Sequence, residues 1–401
     1  MNPSAKCLHT KTMVLSSLLS KMYQGMTTEM HTKLNIDIIA GARPNFIKIA
    51  AIIHALHAHN AKAENPLSYR LIHTGQHYDA AMSQNFFEQL NLPEPHINFG
   101  VGSGSQAYQT GQIMMAYENA LKIEKPDLCI VVGDVTSTMA CTLVAKKEGV
   151  AVAHVEGGIR SGDMTMPEEV NRIVTDSIAD YFFTTSRQAN ENLLSRGVSE
   201  QQIFFVGNTM IDTLMTQLPN LKKPGFFDDL KLADQPYLVV TLHRPSNVDS
   251  VEGLDRLLTL LNENANGHTL IFPMHPRTKK IFESIGKIYP HIYLTSPMDY
   301  LSFIYLVNNA RGVVTDSGGI TEETTILGIP CMTLRNTTER PETVIIGTNE
   351  MVGTDENNIV AALQQMTVGK WKKGEKPELW DGCAGQRIVE IMNNRIFNNA
   401  I

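Results

Sequence analysis

The chain has 401 residues, of which 43% are apolar and 19% charged, with a formal net charge of −7 and a pI near 6.0. That length supports more than one core, so two domains of roughly 200 residues are expected. The absence of a basic excess argues against nucleic acid and anionic membrane surfaces as partners, and leaves any anionic ligand to locally placed Arg, Lys and His.

The five cysteines (Cys7, Cys129, Cys141, Cys331 and Cys383) are odd in number and lack CxxC spacing. They read as reduced thiols of a cytoplasmic protein without a metal site. No run approaches the about 18 apolar residues of a membrane helix. Residues 1–33 are irregular: Lys11 and Lys21 flank TMVLSSLLS, which is short and serine-rich for a signal core. A disordered or loosely docked extension is expected there, with Met26 or Met30 as a possible functional start.

From Asn35 the pattern is regular. NIDIIAG reads as a strand and ARPNFIKIAAIIHALHAH as a helix, with Pro44 in its first turn. Arg43 and Lys48 can then face the carboxyl end of the strand, where α/β sheets bind ligands, although Lys48 also fits a solvated helix face. YRLIHTG is the next strand, followed by Gln76, His77 and Tyr78 in a loop and a helix at DAAMSQNFFEQL. GVGSGSQ has a glycine-rich look but no apolar strand feeding it, so it is not read as a phosphate loop.

A helix over 106–123 leads to the strand DLCIVVGD, the helix VTSTMACTLVAKKEG and the strand AVAHVEGG. Asp134 and Glu156 are thus the polar ends of two successive apolar strands, and a parallel sheet would put both carboxylates in one crevice. His154 travels to the same edge. The loop GIRSGDMTMPEEVNR adds Glu168 and Glu169 after Pro167, and Glu168 would make a third acid at the site unless these two merely favour a helix start.

YFFTTS, SRQANENLLSRG, QIFFVGN and TMIDTLMTQL continue the alternation until LPNLKKPGFFDDLKLADQP breaks it, marking a domain junction. Strand and helix then alternate again from YLVVTLH to PCMTLR, giving a second doubly wound half. Within it, His243 with Arg244 and His275 with Arg277 follow strand ends, and NTTERPE supplies Arg340 between Glu339 and Glu342. Such His-Arg pairs at one sheet edge favour anion binding.

The stretch GVVTDSGGITEETTILG (312–328) reads as a strand ending at Asp316, a turn through Ser317, Gly318 and Gly319, and a helix from Ile320. The unpaired N–H groups of that helix start would receive phosphate oxygens, while Glu322 and Glu323 in the first turn would accept from sugar hydroxyls. A nucleotide diphosphate suits it; an ordinary strand-to-helix turn with acidic residues is the competing interpretation. A helix at ENNIVAALQQM, a polar segment near 370–376 and a final amphipathic helix from Gln386 to Phe397 complete the chain.

The ordered set GARPNFIK, HTGQHYD, VVGDVTSTM, HVEGGIRSGD with MPEEVNR, VGNTMIDTL, TLHRPSNVD, DSGGITEE and TTERPETV closely resembles the non-hydrolysing UDP-N-acetylglucosamine 2-epimerases. The resemblance implies a glycosyltransferase B-type fold: two Rossmann-like doubly wound domains with the active site in the interdomain cleft. It implies an N-terminal extension at 1–33, a first domain at 34–212 joined by a C-terminal helix at 385–401, and a UDP-binding domain at 213–384. Position by position, it implies catalytic roles for Lys48, Asp134, Glu156, Glu168 and His243. It assigns substrate binding to Arg43, Ser317, Gly318, Gly319, Glu323 and Arg340, to which the His-Arg pairs at the strand ends add Arg244 and His275.

The implied reaction is epimerisation at carbon 2 of UDP-N-acetylglucosamine through UDP elimination and re-addition, without a cofactor or metal, in a cytoplasmic homodimer. Closely spaced acids would raise at least one carboxyl pKa. The alternatives are a 2-epimerase for a modified sugar such as UDP-2,3-diacetamido-2,3-dideoxyglucuronate, for which Arg160 or Arg172 would be the extra cation, and a hydrolysing 2-epimerase. Tyr78 and Asp79 depart from the pattern of members activated by a second substrate molecule, so that activation is not expected.

Overall fold

The structure, a computed structural model, describes residues 34–75 and 87–397; the expectations for the N-terminal extension and for Gln76 to Asp79 lie outside the described residues. Two parallel sheets carry the fold. The first runs β3-β2-β1-β4-β5-β6-β7, from β1 (Asn35–Ala40), β2 (Ser68–His73), β3 (Ile97–Asn98), β4 (Leu128–Val132), β5 (Ala151–Val155), β6 (Tyr181–Thr184) and β7 (Ile203–Phe205). The second runs β10-β9-β8-β11-β12-β13, from β8 (Tyr237–Thr241), β9 (Thr269–Pro273), β10 (Ile292–Thr295), β11 (Gly312–Thr315), β12 (Cys331–Thr333) and β13 (Asn349–Met351). The strand order reverses between β1 and β4 and again between β8 and β11, the switch points where such sheets open a ligand crevice.

The side-chain period of two explains why both faces are covered. On β4, Leu128, Ile130 and Val132 enter one apolar cluster with helix Arg43–Asn60, while Cys129 and Val131 enter another with helices Gln106–Ile123 and Thr136–Lys147. On β8, Leu238 and Val240 pack to one side, Tyr237 and Val239 to the other. A strand apolar at every position can only be a central strand sandwiched by helices. The short strands β3 and β13 escaped sequence reading because two or three residues with polar members carry no period.

Helix Thr209–Gln217 follows β7 without a break through the expected 212/213 boundary, and the Thr213 hydroxyl donates to the Ile47 carbonyl at 2.6 Å. The tail returns to the same region. Trp380 is buried with Nε1 on the Thr185 carbonyl, and helix Ala384–Ile391 starts with its Ala384 and Gly385 amides on the Asp212 carboxylate at 3.1 and 2.7 Å. This helix lies so close to helix Arg43–Asn60 that a Cβ on Gly385 would sit 2.4 Å from the Ala51 carbonyl oxygen. The final segment, Met392–Phe397, winds as a π-helix. Among the described residues no helix is long and apolar enough to cross a membrane.

Candidate active site

Strands β4 and β5 pair in parallel register, Val132 opposite Val155, so the residues just beyond them emerge side by side. Gly133 turns the chain at φ +68°, a left-handed conformation that favours glycine, and its amide still donates to Val155 at 3.0 Å. A Cβ there would also stand 3.3 Å from the Lys48 ammonium. Glu156 itself adopts φ +67°, uncommon for a non-glycine residue. His154 is fully buried and braces this turn, with Nε2 on the Gly133 carbonyl at 2.7 Å and Nδ1 on Asp176 at 2.6 Å. It supports the edge from below rather than lining it.

Glu156 is 3% exposed. Its Oε2 meets Lys48 Nζ at 2.5 Å and Arg340 Nη2 at 3.4 Å, while Oε1 is buried without a partner. Lys48 is therefore at the site, not on a solvated face. Its helix is held against β4 by Asn45, which accepts from Gly41 and Ala42 amides and donates to the Val132 carbonyl. Asp134, with a side chain 28% exposed, pairs with Arg172, whose other nitrogen meets Glu169 at 2.7 Å. Burial raises the Asp134 pKa, but Arg172, Lys48 and Arg340 overcome it and hold the carboxyl below its ordinary value. The expected mutual raising of neighbouring acids does not fall on Asp134; it falls on Glu322, raised by burial with Glu156 adding to it.

The two glutamates after Pro167 divide. Glu169 is buried and accepts from the Ser161 amide, the Ser161 hydroxyl and the Gly162 amide, so it clamps the loop. Glu168 is exposed, and its charge is felt by Arg244 of the second sheet. Asp134 and Glu156 thus come together at the base, with Glu168 at the rim. Met166 Sδ lies 3.9 Å from Arg244 Nη1, which brings this loop against the second domain.

In that domain, Asp316 ends β11 wholly buried and accepts from the His243 and Arg244 amides, from Asn247 Nδ2 and from His243 Nδ1 at 2.7 Å. The His243 ring remains 59% exposed. The next helix begins earlier than expected, at Gly318 rather than Ile320, with Ser317 as N-cap but no side-chain cap bond. Its first-turn amides are consequently available to an anion. Gly318 and Gly319 are helical, and Gly318 is required for space: a Cβ would approach Glu339 Oε1 to 2.4 Å. This early start places Glu322 and Glu323 one turn further in, both buried, instead of in the first turn. Glu323 accepts from the Tyr300 hydroxyl at 2.9 Å, and burial pushes its pKa up to about 8.

Glu322 accepts from Arg340 Nε at 2.5 Å and from Asn208 Nδ2 at 2.8 Å. Arg340 is 6% exposed and spans the domains, with Nη1 buried and unpartnered. Beside it, Arg335 binds Glu339 at 2.7 Å; burial opposes ionisation of Glu339, yet Arg335 and Arg340 bring its pKa to about 2. His275 is exposed just beyond β9, and the side chains of Arg43 and Arg277 lie outside the described residues. Arg160 pairs with Asp176 at 2.6 Å. Sequence reading missed Asn208, Asp176 and Arg335 as site supports. Asn208 had a detectable signal as a helix cap, whereas Arg335 had none.

The arrangement joins the carboxylates of Asp134 and Glu156, the buried cations of Lys48, Arg172 and Arg340, and an uncapped helix start. It can bind an anionic group, stabilise charge on it and move a proton beside it. A family model described as UDP-N-acetylglucosamine 2-epimerase matches residues 59–393. The UDP-N-acetylglucosamine 2-epimerase of Methanocaldococcus jannaschii is 40% identical over 371 residues, covering 90% of this chain and 99% of that protein. Its crystal structure in complex with UDP-GlcNAc and UDP superposes with a TM-score of 0.80, again over 90% and 99%. The UDP-2,3-diacetamido-2,3-dideoxy-D-glucuronate 2-epimerase of Pseudomonas aeruginosa is 36% identical over 363 residues, 90% of this chain and 99% of that one. A lipopolysaccharide outer core galactosyltransferase, 15% identical with a TM-score of 0.50 over 91% and 100%, shares the glycosyltransferase B-like fold alone.

Proposed function

The chain belongs to the UDP-N-acetylglucosamine 2-epimerase family, and we propose that within this class of UDP-sugar 2-epimerases it interconverts UDP-N-acetylglucosamine and UDP-N-acetylmannosamine. The observation that carries this reading is the placement of Asp134 and Glu156 on adjacent strand ends, with Glu156 between Lys48 of its own domain and Arg340 of the other.

The proton on carbon 2 is not acidic until the anomeric carbon–oxygen bond begins to break. As that bond lengthens, its electron pair leaves with UDP and the ring gains oxocarbenium character. A carboxylate then takes the carbon 2 proton, giving 2-acetamidoglucal and UDP. Re-addition of UDP with protonation from the opposite face gives the manno epimer. Asp134 and Glu156 form the acid/base set, with Glu168 entering from the rim. Arg43, Lys48, His243, Arg244 and the first-turn amides at Ser317, Gly318 and Gly319 take the growing diphosphate charge. His275, Glu323 and Arg340 complete the nucleotide contacts. Both products must stay together, so the domains close around UDP and exclude water. The enzyme acts in the cytoplasm as a homodimer.

The test is incubation with UDP-N-acetylglucosamine in heavy water, followed by NMR. Deuterium at carbon 2 of a UDP-linked gluco/manno mixture is expected, and Asp134→Asn or Glu156→Gln lowers exchange by orders of magnitude while UDP still binds. Free N-acetylmannosamine would indicate a hydrolysing enzyme. The Pseudomonas relative favours a second reading, a diacetamidoglucuronate substrate. That substrate needs a cation for its carboxylate: Arg172 is committed to Asp134 and Glu169, whereas Arg160 pairs with Asp176 through Nη1 alone and keeps Nε and Nη2 buried without a partner, so Arg160 is the residue that this second reading would use.

A further inference from the structure

We infer that Glu322 is a positioning residue that sets how firmly the opposite domain's Glu156 is held, acting through Arg340; the kinetic part of this inference rests on the epimerase reading. Glu322 is 1% exposed, and one oxygen, Oε1, receives both Asn208 Nδ2 and Arg340 Nε. Asn208 cannot swing away, because its Oδ1 caps helix Thr209–Gln217 through the Met210 amide at 3.0 Å. Arg340 is fixed at its own backbone by a hydrogen bond that its amide donates to the Thr338 hydroxyl at 3.0 Å.

The consequence is visible in the distances. Arg340 holds Glu322 at 2.5 Å but reaches Glu156 only at 3.4 Å, whereas Lys48 sits on that same Glu156 oxygen at 2.5 Å. Glu156 Oε1 and Arg340 Nη1 are both left buried and unpartnered around this loose contact. Charge alternates along Glu322, Arg340, Glu156 and Lys48, so each group tempers the next. By drawing Arg340 back, Glu322 keeps Glu156 from being clamped between two close cations. A carboxylate so clamped would be a poor base.

Glu322→Gln removes the charge while keeping an acceptor for Asn208 and nearly the same volume. The other charges facing these groups stay in place: Asp134, Glu323, Glu339 and Glu342, with Arg172 beyond them. The variant should lose about 10²-fold in kcat, a typical loss for a misplaced catalytic group. Its KM should stay within about threefold, and the acidic limb of its kcat–pH profile should move down by about one pH unit, because Arg340 closes on Glu156. Glu322→Asp keeps the charge and returns the limb to its original place.

A second measurement needs no substrate. Unfolding equilibria of Glu322→Gln, Glu156→Gln and the double variant form a cycle. Arg340 loses both of its hydrogen-bonded carboxylate charges only in the double variant, so its unfolding constant should exceed the product of the single effects by about tenfold or more. An additive cycle overturns the inference. So does an active wild type whose Glu322→Gln variant keeps kcat and pH limb, or whose Gln and Asp variants fail alike with the limb unmoved. A wild type that leaves UDP-N-acetylglucosamine unchanged overturns the epimerase reading instead, and the cycle still decides the coupling.

Discussion

Replacing Arg172 by methionine tests the electrostatics of the site most directly. Arg172 is 3% exposed and bridges two carboxylates, Asp134 and Glu169. Removing one partner of a buried pair costs roughly 3–5 kcal/mol when the stranded charge has no other support. Here the loss is smaller. Glu169 keeps the Ser161 and Gly162 amides and the Ser161 hydroxyl, and the Asp134 side chain, 28% exposed, can be hydrated. About 2–3 kcal/mol is therefore expected, which at roughly 2–4 °C per kcal/mol lowers the apparent Tm by about 5–10 °C.

The pH dependence has a definite sign. Asp134 titrates below its ordinary value of 3.8 in the folded protein, so its stabilisation is complete above that value and is lost as pH falls through the folded pKa. Without Arg172 the folded value moves back up toward 3.8, so Asp134 contributes less stability and this acid-dependent loss shrinks. Thermal unfolding of wild type and Arg172→Met from pH 3 to 7 reads both effects, with Arg172→Lys falling between them because an ammonium cannot span two carboxylates. A Tm within about 1 °C of wild type, with superimposable pH curves, would refute this account of the pair.

Two further outcomes follow from packing and burial. Glu323, raised to about 8 chiefly by burial, contributes stability that is complete below about pH 4.5 and lost as pH rises through 8. Glu323→Gln keeps an acceptor for Tyr300 and cannot ionise, so it should be relatively more stable at pH 8.5 by roughly 1–3 kcal/mol; equal slopes of Tm against pH in both proteins would contradict this. Gly385→Ala forces a Cβ to 2.4 Å from the Ala51 oxygen and should loosen the last helix at a cost of about 1–3 kcal/mol. Faster hydrogen exchange of the Ala384 and Gly385 amides, now on Asp212, would be the signature, and unchanged protection would rule it out.

Much of the architecture is local in origin, and was therefore readable in the residues themselves. A strand apolar throughout, like Leu128–Val132, or nearly so, like Ala151–Val155 with its one His154, fits the inside of a doubly covered parallel sheet when it lies between two helical segments, and this places Asp134 and Glu156 at one edge before any coordinate is known. What tertiary structure alone decided is which charge answers which. Lys48 lies 108 residues from Glu156, and Arg340 lies 184 residues from it; no local period connects them. For the same reason Glu168 and Glu169, adjacent and alike in sequence, part into a rim acid and a loop clamp, since facing opposite sides of a helix start gives one of them buried amides and Arg172. Gly318 was readable as part of a turn before a helix, but what requires a glycine there is Glu339, brought against it by the fold. Ion pairing depends on distance in space and on exclusion of water, and both arise only when the two sheets have packed together.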